Sequence, residues 1–99
     1  MSNYEFLPVV YILASAPYST LYIGVTTNLP KRIAEHRLKL IPGFTSKYNV
    51  TNLVYYQVFD TIDLAISTEK KVKKLSRLRK IAMIEEDNPG WIDLYSQIL

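Results

Sequence analysis

Two apolar runs near the N-terminus constrain the fold of this chain more than any other feature. Residues 9–13 and 21–25 are rich in β-branched and aromatic side chains, a pattern that predicts buried strands. The segment between them, residues 14–20, contains Pro17 and two serines and is predicted to be a hairpin loop. The sequence therefore predicts two neighbouring antiparallel strands.

The remaining pattern predicts helices around one further strand. Asn28 is a favourable helix N-cap, and Pro30 is tolerated in a first helical turn. The further predicted elements are a helix at 29–38, a polar loop at 42–51, a strand at 53–59, a helix at 62–79, a third helix or its continuation at 81–87, and a helical turn or two within 91–99. This order predicts an α+β fold, a small three-stranded antiparallel sheet flanked by helices.

Length and composition predict one domain spanning residues 1–99. The chain has 99 residues, of which 48% are hydrophobic, enough to bury a single core. It has no cysteine, which excludes a disulfide framework and any cysteine-based zinc site or nucleophile. No basic residue precedes Lys31, so the positively charged start of a signal peptide is missing. The apolar stretch 8–17 is shorter than the ~20 residues that span a bilayer. We expect a cytoplasmic protein with no membrane partner.

Positive charge is concentrated in one segment. Seven of the twelve basic residues fall between Lys70 and Lys80, interrupted by apolar residues at helical spacing. Such an amphipathic basic helix indicates contact with a nucleic-acid backbone, or with an anionic membrane, or simply a solvated helix face. The membrane reading is disfavoured because a domain this small needs Val72, Leu75 and Leu78 for its core.

Three sets of residues are candidates for chemistry. Tyr11 and Tyr22 fall on the two predicted strands, where they form either one site or an ordinary pair of core tyrosines. Arg32 and His36 stand at i and i+4, so they share one helix face. Arginine is suited to bind a phosphate and histidine to transfer a proton, but the same spacing is also found in ordinary surface pairs. We expect these side chains, together with Glu69, to open into one cleft.

Glu69 is the third candidate and carries the most information. It lies on the inward stripe formed by Ile66, Val72 and their apolar neighbours, where glutamate is rarely placed unless it is paired. An inward carboxylate beside a basic segment either forms a buried salt bridge, for instance with Arg32, or holds a cation such as Mg²⁺.

Taken together, several short motifs in order resemble the GIY-YIG nuclease family. The first is Val9-Val10-Tyr11, with valine where the family has glycine, and the second is Tyr22-Ile23-Gly24. Residues 28–36 resemble the family's N-L-x-x-R-x-x-x-H helix. Residues 44–49, 69–80 and 88–91 resemble a small, freestanding bacterial subgroup described as excinuclease-like or endonuclease-like.

The resemblance implies a metal-dependent endonuclease of low sequence specificity, acting in repair or recombination. Glu69 would hold a single Mg²⁺ or Mn²⁺, and Arg32 would stabilise charge on the phosphoryl group. Tyr11 or Tyr22 would orient or deprotonate the attacking water, with His36 as a possible participant. The resemblance leaves the division of roles between the two tyrosines open.

The resemblance also implies a nucleic-acid partner, with DNA favoured over RNA. The residues expected to contact it are Lys47, Lys73, Lys74, Arg77 and Asn88. Because 99 residues leave no room for an added DNA-binding domain, we expect either that the substrate is a structured or damaged nucleic acid or that a protein partner selects it. Two alternatives remain: a catalytically silent nucleic-acid-binding module, and a subunit that acts only within a repair assembly.

Overall fold

The computed structural model describes residues 3–99, and its framework is a three-stranded antiparallel sheet. The strands are β1 (Glu5–Ala14), β2 (Leu21–Asn28) and β3 (Asn52–Val58), in the order β2-β1-β3. The central strand is buried over its last six residues, 9–14. The predicted hairpin and the α+β class are confirmed.

Helices cover both faces of the sheet. They are α1 (Leu29–Arg37), α2 (Phe44–Lys47), α3 (Ile62–Lys74) and α4 (Arg77–Asp87), followed by a 3₁₀ turn at Tyr95–Gln97. The start of α1 is set by the sequence as predicted, since the Asn28 side chain accepts a hydrogen bond from the Lys31 amide and Pro30 stands in the first turn.

Alternating residues of β1 divide the core into two halves. Val9, Tyr11 and Leu13 face α1, where they pack with Leu29 and Ile33. The intervening residues of β1 face α3 and α4 in a second cluster, whose helix-borne members are Ala65, Val72 and Ile84. Helix α3 contacts β1 and β2, whereas α4 contacts β3. The two halves follow from the period-two alternation of a strand that is buried on both faces.

The basic segment is not one helix, which corrects the prediction of a helix over 62–79. Helix α3 ends at Lys74, and Leu75 has extended backbone angles. Ser76 then caps α4, because its side-chain oxygen accepts a hydrogen bond from the Arg79 amide. The predicted core role of Leu78 was also wrong, since this side chain is 79% exposed.

Two loops differ from their predictions in detail. The predicted polar loop 42–51 contains the single helical turn α2, and segment 91–99 forms only the short 3₁₀ turn. That last segment is tied to the sheet by Asp93, whose carboxylate accepts hydrogen bonds from the Leu53 amide and from Arg37.

Within residues 3–99, the helices all lack the length and apolar character that a bilayer crossing requires.

Candidate functional site

The two motif tyrosines lie on the same face of the sheet. Tyr11 on β1 stands opposite Gly24 on β2, and Tyr22 stands opposite Leu13. This register makes the tyrosines diagonal neighbours, and their ring centroids are 6.4 Å apart. Tyr11 is 1% exposed, whereas Tyr22 is half-buried. Of the two tyrosines, Tyr22 is therefore the one that solvent reaches.

His36 packs against both tyrosine rings from helix α1. Its ring centroid is 5.8 Å from that of Tyr11 and 5.5 Å from that of Tyr22, in edge-to-face geometry. The Tyr11 hydroxyl lies 3.0 Å from Nε2 of His36, and Nδ1 lies 3.1 Å from Oγ1 of Thr45 on α2. Both ring nitrogens of this buried histidine are thus engaged.

The environment keeps Tyr11 and His36 neutral near pH 7. Burial raises the pKa of Tyr11 well above its usual value, and the nearby Arg32 opposes that shift only in part. Burial, and then the positive charge of Arg32, lower the pKa of His36. A neutral tyrosine and a neutral imidazole fit a chain in which Tyr11 donates to Nε2 of His36, and Nδ1–H donates to Thr45.

Gly24 makes room for the Tyr11 ring. A Cβ atom at this position would lie 2.4 Å from both the Cζ atom and the hydroxyl oxygen of Tyr11, much closer than van der Waals contact. The Tyr11 ring therefore crosses over β2 at Gly24 to reach His36. The group that approaches Gly24 closely is therefore a side chain of the protein itself.

Arg32 and Glu69 lie on helices that pack against opposite faces of the sheet, whereas the sequence had led us to expect one cleft for the whole set. Helix α1 carries Arg32 on the Tyr11 face, while α3 packs through Ala65 and Val72 on the opposite face. The positive charge of Arg32 lowers the pKa of Tyr11, and the charge of Glu69 raises that pKa to a smaller extent. Because β2 is an edge strand, side chains from both layers can meet beside it.

The ion pairs at this edge differ from the salt bridge considered in the sequence analysis. Glu69 pairs with Lys73 one helical turn later, with Nζ and Oε2 3.0 Å apart. Arg32 pairs instead with Glu35 on its own helix, at 3.6 Å. The side chain of Glu69 is only 13% exposed, which fits its predicted inward position. Arg32 therefore does not depend on Glu69 as its partner.

The donor set suits one hard cation held by few protein ligands. Within residues 3–99, no group of three or more histidine, cysteine, aspartate or glutamate side chains is close enough to form a cage. Mg²⁺ is commonly bound through one or two carboxylates with waters and substrate phosphate filling the other positions. A single shielded carboxylate, Glu69, fits that kind of binding.

A polar hollow adjoins Arg32 on the outer side of β2 and α1. Its lining residues are Thr26, Thr27, Asn28, Lys31, Arg32 and Glu35. Hydroxyl groups, an ammonium and a guanidinium in one hollow are suitable donors for a phosphate oxygen. The two threonines and Lys31 could not be predicted from the sequence, because their spacing carries no pattern typical of a binding site.

The structure does not bring Asn88 to this site. Asn88 lies beside β3, at the opposite edge of the sheet, and is buried. Its amide nitrogen donates to the carbonyl oxygens of Val54 and Ile92, and its oxygen accepts from the Ile92 amide. This position argues against the expected contact of Asn88 with nucleic acid, because its polar side-chain atoms are already bonded within the fold.

The predicted nucleic-acid contacts are dispersed. Lys73 lies beside Glu69, and Lys74 is exposed at the end of α3. Arg77 begins α4 and donates to the carbonyl oxygens of Tyr18 and Ser19, so it anchors the β1–β2 loop. Lys47 lies on α2, with its ammonium 5.4 Å from the centre of the Tyr48 ring.

Thr45 is a site residue that sequence reasoning missed. It is buried, and its hydroxyl is bonded to the imidazole of His36. A threonine in a polar loop carries no periodic signal, and only the folding of that loop into α2 brings it to the histidine.

Comparison with known proteins supports the resemblance seen in the sequence. A family model described as the GIY-YIG catalytic domain matches residues 7–82. A UPF0213 protein of Natronomonas pharaonis is 35% identical over 78 residues, covering 79% of this chain and 91% of that protein. A UPF0213 protein of Streptococcus pyogenes serotype M5 is 40% identical over 76 residues, covering 76% and 82%.

A solved structure supports the fold as well. The solution NMR structure of a UPF0213 protein from Bacillus halodurans aligns with a TM-score of 0.54 at 27% identity. The alignment covers 87% of this chain and 90% of that one. The similarity therefore extends over nearly the whole length of both chains.

Proposed function

Because the chain belongs to the GIY-YIG catalytic-domain family, a nuclease-type family, we propose that it is a metal-dependent endonuclease acting on nucleic-acid phosphodiesters. The supporting observation is the packing of Tyr11, Tyr22 and His36 against one another, with Arg32 on the same helix as His36. The proposal adds Glu69 of α3, a shielded carboxylate whose charge acts on the pKa of Tyr11. DNA is the proposed substrate in preference to RNA, with low sequence specificity.

The two tyrosines have different roles in this proposal. Tyr22 is half-buried and contacts the attacking water directly. Tyr11 is fully covered and keeps its proton, so it acts as a positioning residue that fixes the His36 ring against Tyr22. Thr45 holds the other ring nitrogen and so limits rotation of the imidazole. This division is supported by the difference in exposure between the two tyrosines.

Arg32 and Glu69 supply the charges that the reaction needs. The Arg32 guanidinium stabilises negative charge that develops on the phosphoryl oxygens. Glu69 is the proposed ligand of a single Mg²⁺ or Mn²⁺. When bound, such an ion would act as a Lewis acid at the phosphate and assist the leaving oxygen. The Lys73 ammonium, now paired with Glu69, would give way to that ion and turn toward the substrate backbone.

Substrate backbone contacts are proposed for lysines on two elements. Lys73 and Lys74 extend from the end of α3, and Lys47 extends from α2 next to Thr45. Such contacts hold phosphates and do not read base sequence, which fits low specificity. The proposal also includes a protein partner that selects the substrate, a role in repair or recombination, and a cytoplasmic location.

The rival function is a nucleic-acid-binding module without catalysis. A binding surface needs lysine and arginine, but it has no use for a shielded carboxylate beside the phosphate site, where negative charge would oppose binding. Glu69 is 13% exposed and close enough to Tyr11 to act on its pKa. That placement favours the enzyme over the silent module.

Glu69→Gln tests the proposal directly. The variant keeps the size of the side chain but removes the charge that would hold a divalent cation. We expect cleavage of a labelled DNA in Mg²⁺ to fall by about 100-fold or more, because Lewis-acid assistance contributes several kcal/mol. The free energy of unfolding should change by no more than about 1 kcal/mol, since the ion partner of Glu69 is the half-exposed Lys73.

Controls separate a lost reaction from a lost fold. Glu86→Gln removes a carboxylate from the exposed surface of α4 and should cut at the wild-type rate. DNA affinity of Glu69→Gln in EDTA should equal or exceed that of the wild type. A Glu69→Gln protein that still cuts at the wild-type rate in Mg²⁺ would remove Glu69 from the mechanism. A wild-type protein that cuts no nucleic acid in Mg²⁺ or Mn²⁺ would favour the rival function, a binding module without catalysis.

A further inference from the structure

Helix α2 presents two large aromatic rings to solvent. Phe44 and Tyr48 stand four residues apart, with ring centroids 5.0 Å from each other and planes tilted by 51°. Their exposed fractions are 48% and 50%, so about half the surface of each residue stays in water. Aromatic side chains of this size are normally used to bury area. A pair held side by side and half-exposed is therefore suited to contact a ligand.

The turn that carries these rings is fastened to the candidate active site. Thr45 follows Phe44 directly, is buried, and is bonded to Nδ1 of His36 at 3.1 Å. Adjacent Cα atoms are only about 3.8 Å apart, so Phe44 is held close to the imidazole by the covalent chain. A ligand on the aromatic pair would lie beside the site of reaction.

The surroundings of the pair favour a polyanion. Lys47 lies between the two aromatic residues in sequence, and its ammonium is 5.4 Å from the Tyr48 ring centre. From residue 37 to residue 59 the chain has three basic residues and no acidic one. Neither Lys39 nor Lys47 forms an ion pair with a residue of 3–99. Aromatic surface combined with unneutralised lysine is the usual composition of a single-strand binding surface.

We propose that Phe44 and Tyr48 form a stacking platform for unpaired bases, so that the protein takes single-stranded or locally unpaired DNA in preference to intact duplex. The inference rests on the proposed nuclease function and names its substrate class. In a duplex the faces of the bases are covered by their neighbours, whereas an unpaired base offers a face to an aromatic ring. Stacking of this kind tolerates any sequence, because every base has such a face.

The test is a binding experiment in EDTA, where no metal-dependent cleavage occurs. The probes are a single-stranded oligonucleotide containing 2-aminopurine, whose fluorescence is quenched by stacking, and a duplex of the same length. We expect the wild type to prefer the single strand and to quench the fluorophore. Phe44→Ala with Tyr48→Ala should weaken single-strand binding by about 10-fold or more, abolish the quenching and leave duplex affinity within about 2-fold.

Two matched variants control for folding and for apolar contact. Phe44→Tyr with Tyr48→Phe keeps both aromatic faces and should retain affinity and quenching. Phe44→Leu with Tyr48→Leu keeps apolar bulk without aromatic faces and should behave like the alanine pair while melting like the wild type. If the leucine pair bound and quenched as the wild type does, apolar contact would explain the surface and the platform would be overturned.

Other outcomes would also overturn the platform. Equal loss of single-strand and duplex affinity would mean that the rings only support the phosphate contacts. A second such outcome combines unchanged DNA affinity of the alanine pair with a change of oligomeric state. If sedimentation showed a dimer for the wild type and a monomer for the alanine pair, this surface, with the exposed Leu38 and Leu40, would be a protein interface.

Failure of the platform and failure of the nuclease proposal give different results. A wild type that stacks the fluorophore in EDTA but cuts nothing in Mg²⁺ or Mn²⁺ supports the platform and removes the enzyme. A wild type that cuts duplex and single strand at the same rate, with an alanine pair that cuts equally well, removes the platform and keeps the enzyme.

Discussion

At the scale of single residues, the site depends on a few side chains that limit one another's positions. Tyr11 crosses β2 because Gly24 has no Cβ, and its hydroxyl meets His36. Val9 stands where the family has glycine, and its side chain is buried in the core on the α1 side. The substitution therefore adds packing on the central strand and leaves the proposed catalytic side chains in place.

Replacing each tyrosine in turn tests the proposed division of roles. We expect Tyr22→Phe to slow cleavage by about 100-fold, the lower range for loss of a group that handles the reacting proton, with little change in stability. Tyr11→Phe should lower the free energy of unfolding by about 1–3 kcal/mol, because Nε2 of the buried His36 loses its partner. Single-turnover cleavage and urea unfolding of both variants give the two quantities. A Tyr22→Phe protein with full activity would contradict the assignment.

At the scale of elements, the break at Ser76 decides which part of the basic segment faces the site. Helix α3 contacts β1 and β2 and carries Glu69 with the lysines that follow it. Helix α4 contacts β3, and its first residue, Arg77, is bonded to the β1–β2 loop. The seven basic residues of 70–80 are thus divided between two helices that lie over different strands.

This division predicts unequal effects of basic residues on DNA binding. Lys74→Ala should weaken binding to all sequences about equally and should reduce the slope of log affinity against log salt by about 0.9 on duplex or about 0.7 on a single strand. Arg79 is another exposed basic residue, on α4, so Arg79→Ala is the matched control and should leave the slope unchanged. Binding isotherms at several salt concentrations measure both. An equal loss of slope in the two variants would show that the segment acts as one surface.

At the scale of the whole molecule, the segment after α4 closes the structure. Asn88 links the end of α4 to β3 and to Ile92 by three hydrogen bonds. Farther along, Asp93 bonds the Leu53 amide on β3 and the Arg37 guanidinium on α1. The C-terminal segment therefore connects β3 with the helix that carries Arg32 and His36, so that loosening it would loosen the frame of the site.

Asn88→Ala tests this structural role against a role in binding. Removing the amide leaves the buried carbonyl group of Val54 and the partly buried N–H and carbonyl groups of Ile92 without this partner, so we expect the free energy of unfolding to fall by about 1–3 kcal/mol. DNA affinity of the folded protein should stay within about 2-fold of the wild type. Urea unfolding and anisotropy on the same preparation provide the measurements. Unchanged stability with greatly weakened binding would restore Asn88 as a nucleic-acid contact.

The sequence alone determined the elements whose signals are local. The β-branched runs of β1 and β2, the Asn28 cap of α1 and the motif residues with their order all depend on neighbours a few positions away. Periodicity also predicted the shielded position of Glu69, although its exposed neighbour Ile66 shows that the apolar stripe was drawn too wide. These features could be predicted because short-range patterns encode them.

Only the tertiary structure decided which residues meet. The pairing of His36 with Thr45 and the structural role of Asn88 depend on how separate segments pack. The break between α3 and α4 had a local signal in Ser76, but the apolar residues on either side continued the helical period and concealed it. A site built at a sheet edge from two layers has no sequence period of its own, because its geometry comes from the packing of both layers on the strands.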